Sequence, residues 1–132
     1  MSVFVDTSAF YALLVGTDAG HAQITEVFRA TAERGRRLVT TNYVLVETAA
    51  LLQHRIGLAP VRDLEQHILP LVTVHWVSAE LHRRGMDRLL RMDKRHVSLV
   101  DAISFVAMDA DGLTDVLALD PDFETEGFRL LP

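Results

Sequence analysis

Four acidic residues in this chain each close or interrupt a stretch that is otherwise apolar: Asp6, Glu47, Asp101 and Asp120. A buried charge is costly unless it is paired or coordinates a metal. Apolar elements that each carry one acid therefore predict a shared acidic pocket that holds something cationic. Two carboxylates about 4 Å apart repel by roughly 4 kcal/mol at an effective dielectric near 20. Such a cluster must protonate, separate or bind a cation, and oxygen-only ligands favour Mg²⁺ or Mn²⁺.

Short β-type runs alternate with helical patterns along the chain. The strand signals cover residues 3–5, 38–39, 72–77 and 116–119, with a candidate edge strand at 128–130. The helical patterns cover residues 9–14, 21–33, 42–55, 61–69, 79–93 and 98–112. This alternation predicts a three-layer α/β/α fold with a central, mostly parallel sheet of four or five strands. We expect a single domain over residues 1–132, because no repeat or linker divides the chain.

Ligands of parallel sheets bind outside the carboxyl ends of the strands. Asp6 and Asp120 directly follow strand signals, which places them at that edge. Glu47 and Asp101 lie in the early turns of helices whose N-termini point toward the same edge. Topology therefore predicts that the four acids converge.

Each acid also has a simpler structural explanation. Asp6 could be a turn or cap residue, although Thr7 and Ser8 already supply an N-cap signal. Ser98 and Asp101 have the spacing of a capping box with Asp in place of Glu. These alternatives stay open from the residues alone.

A second acid close to Asp120 could fill the role of the last acid in the set. Asp120 and Asp122 flank Pro121, and either carboxylate could simply form a turn. Glu47, by contrast, has apolar neighbours and no basic residue three or four positions later.

Charge and composition limit the kinds of ligand site, partner and cellular location that the sequence allows. The formal net charge is −5, yet arginines cluster between His82 and His96, either as a solvated helix face or as phosphate contacts. The chain has no cysteine, which excludes a thiolate zinc site and fits a reducing cytoplasm. No signal peptide and no membrane-spanning run is evident, so we expect a cytoplasmic protein without a membrane partner.

The acids and their contexts resemble the PIN domain nucleases, and among them the VapC-type toxins of type II toxin–antitoxin systems. The resemblance is carried by four motifs in register along essentially the whole chain. They are Val5-Asp6-Thr7-Ser8-Ala9, the segment 40–48 around Glu47, Ser98-Leu99-Val100-Asp101-Ala102, and the segment 118–124 around Asp120.

The resemblance implies a Mg²⁺- or Mn²⁺-dependent endoribonuclease that cleaves RNA phosphodiester bonds by metal-activated water. The family's four acids, which serve as catalytic residues and metal ligands, fall on Asp6, Glu47, Asp101 and Asp120. The auxiliary residues implied are Asp122, a further acid, and three hydroxyl residues that orient carboxylates or metal-bound water: Thr7, Ser8 and Thr41. Arginines of the basic helix are candidates for RNA-backbone contacts, namely Arg83, Arg84 and Arg88.

The same resemblance implies a homodimer and a small cognate VapB-type antitoxin whose C-terminal segment enters the acidic groove. Two alternatives remain: a PIN-fold RNA-processing nuclease without an antitoxin, and a catalytically silent binding module. A haloacid dehalogenase-type phosphatase fits poorly, because Ser8 stands where that chemistry needs a second Asp, and Lys94 is the sole lysine.

Overall fold

The computed structural model describes residues 1–131, which form one sheet flanked by helices. The strands run in the order β3-β2-β1-β4-β5, and every neighbouring pair within residues 1–131 is parallel. The predicted three-layer α/β/α fold is therefore confirmed, with five strands and a wholly parallel sheet. Their bounds are β1 (Ser2–Val5), β2 (Arg37–Thr41), β3 (Thr73–His75), β4 (Asp115–Leu117) and β5 (Arg129–Leu131).

Most helices lie close to their predicted positions. The α-helices are α1 (Thr7–Leu14), α2 (His21–Glu33), α3 (Asn42–Arg55), α4 (Leu58–Asp63), α5 (Ala79–Met92), α6 (Leu99–Ala110) and α7 (Asp122–Thr125). The helix predicted at 61–69 is wrong in detail, because α4 starts earlier and continues as a π-helical turn (Leu64–Ile68) and a 3₁₀ turn (Leu69–Leu71). The short helix α7 was not predicted. No helix within residues 1–131 has the length and apolarity to traverse a lipid bilayer.

The central strand β1 is buried over three of its four residues. Val3, Phe4 and Val5 are each at most 1% exposed. A continuous apolar run of this kind is typical of a parallel strand that helices cover on both faces. Asp6 therefore leaves the sheet at its centre, where it is only 3% exposed.

Strand β4 begins and ends earlier than its apolar run indicates. Its first residue is Asp115, whose carboxylate accepts hydrogen bonds from Arg36 at 2.8 Å and from Arg129 at 3.0 Å. These two partners allow an acid to occupy a buried strand position. The expectation that Asp120 directly follows the strand is wrong, since two further residues, 118 and 119, lead from β4 to it.

Close packing between α5 and α6 fixes the helix that carries Asp101. A Cβ atom on Gly85 would lie 2.2 Å from Cδ1 of Ile103, so the two helices approach at a point where only glycine fits. Helix α6 is buried from Asp101 to Met108. A helix held this firmly gives Asp101 one well-defined position.

Three aromatic side chains hold the C-terminal segment against α6. The ring of Phe105 lies 5.0 Å from that of Phe123 and 5.8 Å from that of Phe128, measured between centroids. Phe123 is fully buried and belongs to α7. Because Asp122 is its neighbour in the chain, this aromatic cluster anchors the acidic segment from Asp120 to Asp122.

Candidate active site

The four predicted acids line one cleft with a volume of about 430 Å³. Asp6 enters it from the end of β1, Asp120 from the loop after β4, and Glu47 and Asp101 from helices α3 and α6. The cleft thus lies at the carboxyl ends of the two central strands, where parallel sheets bind ligands.

Asp6 is held by the neighbouring hydroxyl. Its Oδ2 accepts hydrogen bonds from the Ser8 hydroxyl at 2.8 Å and from the Ser8 backbone N–H at 3.3 Å. The sequence assigned the N-cap of α1 to Thr7 and Ser8, and that assignment is wrong: Thr7 is already helical and Asp6 is the cap. The Ser8 hydroxyl also accepts from the backbone N–H of Leu119 at 3.0 Å. Ser8 therefore ties Asp6 to the loop that leads to Asp120.

Asp101 combines the two roles that the sequence left open. Its Oδ2 accepts from the Ser98 backbone N–H at 3.1 Å, and the Ser98 hydroxyl accepts from the Asp101 backbone N–H at 3.1 Å. This is a reciprocal capping box. The same carboxylate lines the cleft, so the cap fixes its orientation toward the other acids.

Three carboxylates come close enough to share one cation. Oxygens of Asp101, Asp120 and Asp122 all lie within 4.8 Å of one another. Asp120 Oδ1 also accepts from the Asp122 backbone N–H at 2.9 Å, which forms a local turn. Both candidates for the last acid therefore face Asp101, and Asp122 belongs to the cluster.

The electrostatics of the cleft favour a bound cation. Burial, and secondarily the Asp101 charge, raises the pKa of Asp6 to about 7, although the Ser8 hydrogen bonds oppose the shift. Burial, with added repulsion from Asp120 and Glu47, raises the pKa of Asp101 to about 6 against the hydrogen bonds from Ser98. Among residues 1–131, neither Asp6 nor Asp101 forms an ion pair with a basic side chain. An all-oxygen donor set of this kind fits Mg²⁺ or Mn²⁺.

The two auxiliary threonines act on the backbone of α3. Thr41 caps this helix, because its hydroxyl accepts from the Val44 backbone N–H at 3.2 Å. The Thr7 hydroxyl donates to the Val44 carbonyl at 3.5 Å. Of the three predicted hydroxyls, the one that contacts a carboxylate is Ser8. Thr7 and Thr41 instead fix the helix that carries Glu47.

The predicted RNA-contacting arginines lie away from the cleft. The Arg88 guanidinium pairs with Asp109 at 2.8 Å and Glu126 at 3.1 Å, and it lies over the Phe105 ring. Arg84 and Arg88 line a separate cavity, and Arg83 is exposed on the same helix. Arg88 is therefore engaged in holding α5 to α6 and to the loop after α7.

The basic residue that does line the acidic cleft is Arg55, which the sequence analysis did not select. Arg55 ends α3 and follows Glu47 by eight positions, so both lie on the same helix face. That spacing was a visible signal. Arg55 lies outside the clusters of arginines, so clustering alone does not single it out.

Comparison with known proteins agrees with this architecture. The PIN domain family model matches residues 3–127. The chain is 36% identical over 127 residues to the 23S rRNA-specific endonuclease VapC20 of Mycobacterium tuberculosis, and the match covers 96% of this chain and 95% of that protein. The chain therefore belongs to the PIN domain family, among its VapC-type members.

Solved structures share the fold. The crystal structure of Mycobacterium tuberculosis VapC20, described there as a sarcin-ricin loop cleaving toxin, gives a TM-score of 0.86 at 36% identity over 97% of both chains. FitAcB from Neisseria gonorrhoeae gives 0.71 at 14% identity, covering 98% of this chain and 96% of that one. PAE2754 from Pyrobaculum aerophilum gives 0.67 at 17% identity, covering 98% and 89%. The last two comparisons support the fold alone.

Proposed function

We propose that this protein is a VapC-type toxin endoribonuclease that hydrolyses RNA phosphodiester bonds with Mg²⁺ or Mn²⁺. The observation that carries the proposal is the cleft itself, in which the buried Asp6 and Asp101 have no ion-pair partner among residues 1–131 and oxygens of Asp101, Asp120 and Asp122 lie within 4.8 Å of one another. The similarity to an endonuclease over nearly the whole chain supports the same activity.

The acids have distinct positions around the proposed ion. Asp101, Asp120 and Asp122 would hold it, with Asp6 and Glu47 completing the negative wall of the cleft. When bound, a divalent ion supplies Lewis acidity, which lowers the pKa of water and offsets phosphate charge. The protein's own contribution is preorganisation: Ser8 and the capping box hold two carboxylates before the substrate arrives.

The proposed substrate is a structured loop of ribosomal RNA. VapC20 carries the descriptions 23S rRNA-specific and sarcin-ricin loop cleaving, and it matches this chain over almost its full length. Single-stranded loops suit an open cleft, because their bases can be splayed out and contacted in a way that duplex RNA does not allow. Ribosomal RNA is therefore the first substrate to test.

We extend the proposal to the cellular setting implied by the family. The protein would act in the cytoplasm as a homodimer, with residues 1–132 forming one PIN domain, and would bind a small VapB-type antitoxin. Large apolar side chains on α3 and just beyond it are exposed and available for such contacts: Val46 (69% exposed), Ile56 (56%) and Leu58 (50%).

A nuclease assay with matched variants tests the function. Purified protein is incubated with 23S rRNA and with a loop fragment, in Mg²⁺, in Mn²⁺ and in EDTA, and ion binding is measured by isothermal titration calorimetry. We expect Asp6→Asn to reduce cleavage by at least about 100-fold and to weaken ion binding. The control is Asp93→Asn, which removes the same charge at an exposed helix end outside the cleft.

Two outcomes would contradict the proposal. Equal cleavage by the wild type and Asp6→Asn would place the activity elsewhere. A wild type that binds no divalent ion and leaves RNA intact would favour the catalytically silent binding module. The partner proposal has its own test, since adding the cognate antitoxin should suppress cleavage.

A further inference from the structure

We propose that Arg55 is a substrate-binding residue that contacts a second phosphate of the RNA strand, away from the bond that is cleaved. The inference rests on the proposed function, because it assigns a substrate contact within the same cleft. It concerns residues outside the acid cluster, at the other end of α3.

The spacing along α3 places acid and base at different points of one groove. Glu47, Leu51 and Arg55 are four residues apart, which puts them on one face of the helix, and all three line the cleft. The Cα atoms of Glu47 and Arg55 are separated by about 12 Å along the helix axis at 1.5 Å per residue. A phosphate held beside the acids is therefore distinct from one held by Arg55.

The guanidinium of Arg55 is held in place by an aromatic ring. Its central carbon lies 5.4 Å from the centroid of Tyr11, which also lines the cleft. Tyr11 belongs to α1, one turn after Ser8, so this contact joins α3 to the helix that follows Asp6. A cation over an aromatic face is attracted by the ring and loses conformational freedom before the ligand binds.

The charge of Arg55 is left available for a ligand. Among residues 1–131, no carboxylate forms an ion pair with it, whereas Arg88 has two such partners. Arg55 is also the basic side chain of the described chain that lines the acidic cleft. A planar guanidinium matches the paired oxygens of a phosphate in two parallel hydrogen bonds.

The arrangement of charged groups and apolar surface in the cleft favours an RNA strand over an acidic peptide. A phosphodiester chain carries a negative charge at every linkage. One phosphate can therefore bind a divalent ion held by the carboxylates while another binds the Arg55 guanidinium. Leu51 and Leu119 line the same cleft, and Leu119 is 39% exposed. Their apolar surface suits the sugar and base faces between two phosphates. A carboxylate-rich peptide is also anionic, but it lacks the sugar and base faces that this apolar surface would contact.

Steady-state kinetics and RNA binding test the role of Arg55. The variants are Arg55→Ala, Arg55→Lys and the control Arg62→Ala, which makes the same charge change at an exposed site on α4 outside the cleft. We expect Arg55→Ala to raise KM about tenfold while kcat stays within about twofold. Arg55→Lys should have a KM between those of Arg55→Ala and the wild type. Arg62→Ala should match the wild type.

Salt dependence separates a phosphate contact from a structural effect. Fluorescence anisotropy with a labelled single-stranded RNA gives the slope of log Kd against log salt. Loss of one phosphate contact should reduce the magnitude of this slope by about 0.7 in Arg55→Ala. Arg55→Lys, which keeps the charge, should retain the wild-type slope.

Two results would overturn the inference about Arg55. If Arg55→Ala matches Arg62→Ala in both KM and salt slope, Arg55 binds no phosphate. If kcat falls while KM is unchanged, Arg55 acts at the reacting centre. A wild type without nuclease activity would refute the proposed function alone, because the anisotropy slopes still decide whether Arg55 binds RNA phosphate.

Discussion

The Ser8 hydroxyl accepts a hydrogen bond from the backbone N–H of Leu119, 3.0 Å away, and so joins residues 111 positions apart. The same oxygen donates to Asp6 at 2.8 Å. One small side chain therefore couples the first acid of the cleft to the loop that carries the last one. Ser8 is more central to the geometry of the site than its place beside a helix cap indicates.

Replacing Ser8 by alanine should misplace two acids at once. In Ser8→Ala the Leu119 N–H and the Asp6 carboxylate each lose a partner, so we expect a loss of about 1 kcal/mol in unfolding free energy. We also expect a fall of about tenfold in kcat, since catalytic groups need accurate placement. Urea unfolding and RNA cleavage measure the two effects. Ser8→Thr, which retains the hydroxyl, is the matched variant, and equal activity of Ser8→Ala and wild type would contradict the coupling.

Neutralising Asp101 should have opposite effects with and without a divalent ion. In Asp101→Asn the amide oxygen can still accept from the Ser98 N–H, so the capping box persists without the charge. Because the folded protein raises the pKa of Asp101 to about 6, ionisation at pH 7.5 destabilises the ion-free fold, and the variant should melt at a higher temperature in EDTA.

An excess of Mg²⁺ tests the other half of that prediction. A free Mg²⁺ concentration of 100 times Kd should stabilise the wild type by about 2.7 kcal/mol. Asp101→Asn should lose most of this stabilisation. Thermal melts with and without ion provide the measurement, and Asp93→Asn controls for the loss of one charge. An unchanged response of Asp101→Asn to Mg²⁺ would remove Asp101 from the ion site.

A methyl group at Gly85 should disturb the packing of α5 on α6. The added Cβ would meet Cδ1 of Ile103 at 2.2 Å and its Cα at 3.3 Å, so we expect Gly85→Ala to cost about 1–3 kcal/mol in urea unfolding. The control is Gly16→Ala, where a Cβ would meet nothing within 4 Å. In an Ile103→Ala background the penalty of Gly85→Ala should shrink, and a penalty of the same size there would rule out this clash as its cause.

The pairing of Asp115 should make stability fall in acid. Burial acts to raise the pKa of Asp115, but hydrogen bonds and charges of Arg36 and Arg129 outweigh it, so its pKa lies below the ordinary value. The folded state then binds this proton less readily than the unfolded chain. The stabilisation is complete above the unfolded pKa of about 3.9 and is lost as the pH falls through the lowered folded value.

Urea unfolding between pH 7 and the acid limit of folding measures the Asp115 contribution. We expect Asp115→Asn to be less stable than the wild type at neutral pH and to lose less stability below about pH 4. Asp93→Asn, at an exposed site, should keep the wild-type acid profile. Parallel pH profiles for the wild type and Asp115→Asn would show that the carboxylate is not stabilised by its two arginines.

Much of the cleft could be predicted because strand ends are a topological property. Once alternating strands and helices indicated a parallel sheet, the carboxyl-end rule brought Asp6, Glu47, Asp101 and Asp120 to one edge. The apolar run of β1 and the caps at Thr41 and Ser98 are local signals that survive in the fold. Local pattern and global topology agree at these positions.

The remaining features depend on long-range contacts that no local pattern contains. Asp115 begins β4 only because Arg36 and Arg129 reach it from two other segments. The turns after Asp63 depart from regular α-helix, and α7 is held in place by the buried Phe123. The pairing of Arg88 with Asp109 and Glu126 likewise depends on tertiary packing. The sequence alone therefore does not distinguish an arginine that faces solvent from one that holds two segments together.

The central position of β1 has a consequence for synthesis on the ribosome. This strand pairs on one side with β2 and on the other with β4, through Phe4 opposite Val116. A nascent chain that has not yet exposed β4 leaves one edge of β1 unpaired and lacks the acid that the loop after β4 supplies. The emerging polypeptide therefore lacks a complete acidic cleft until the segment that carries β4 and Asp120 is free to fold.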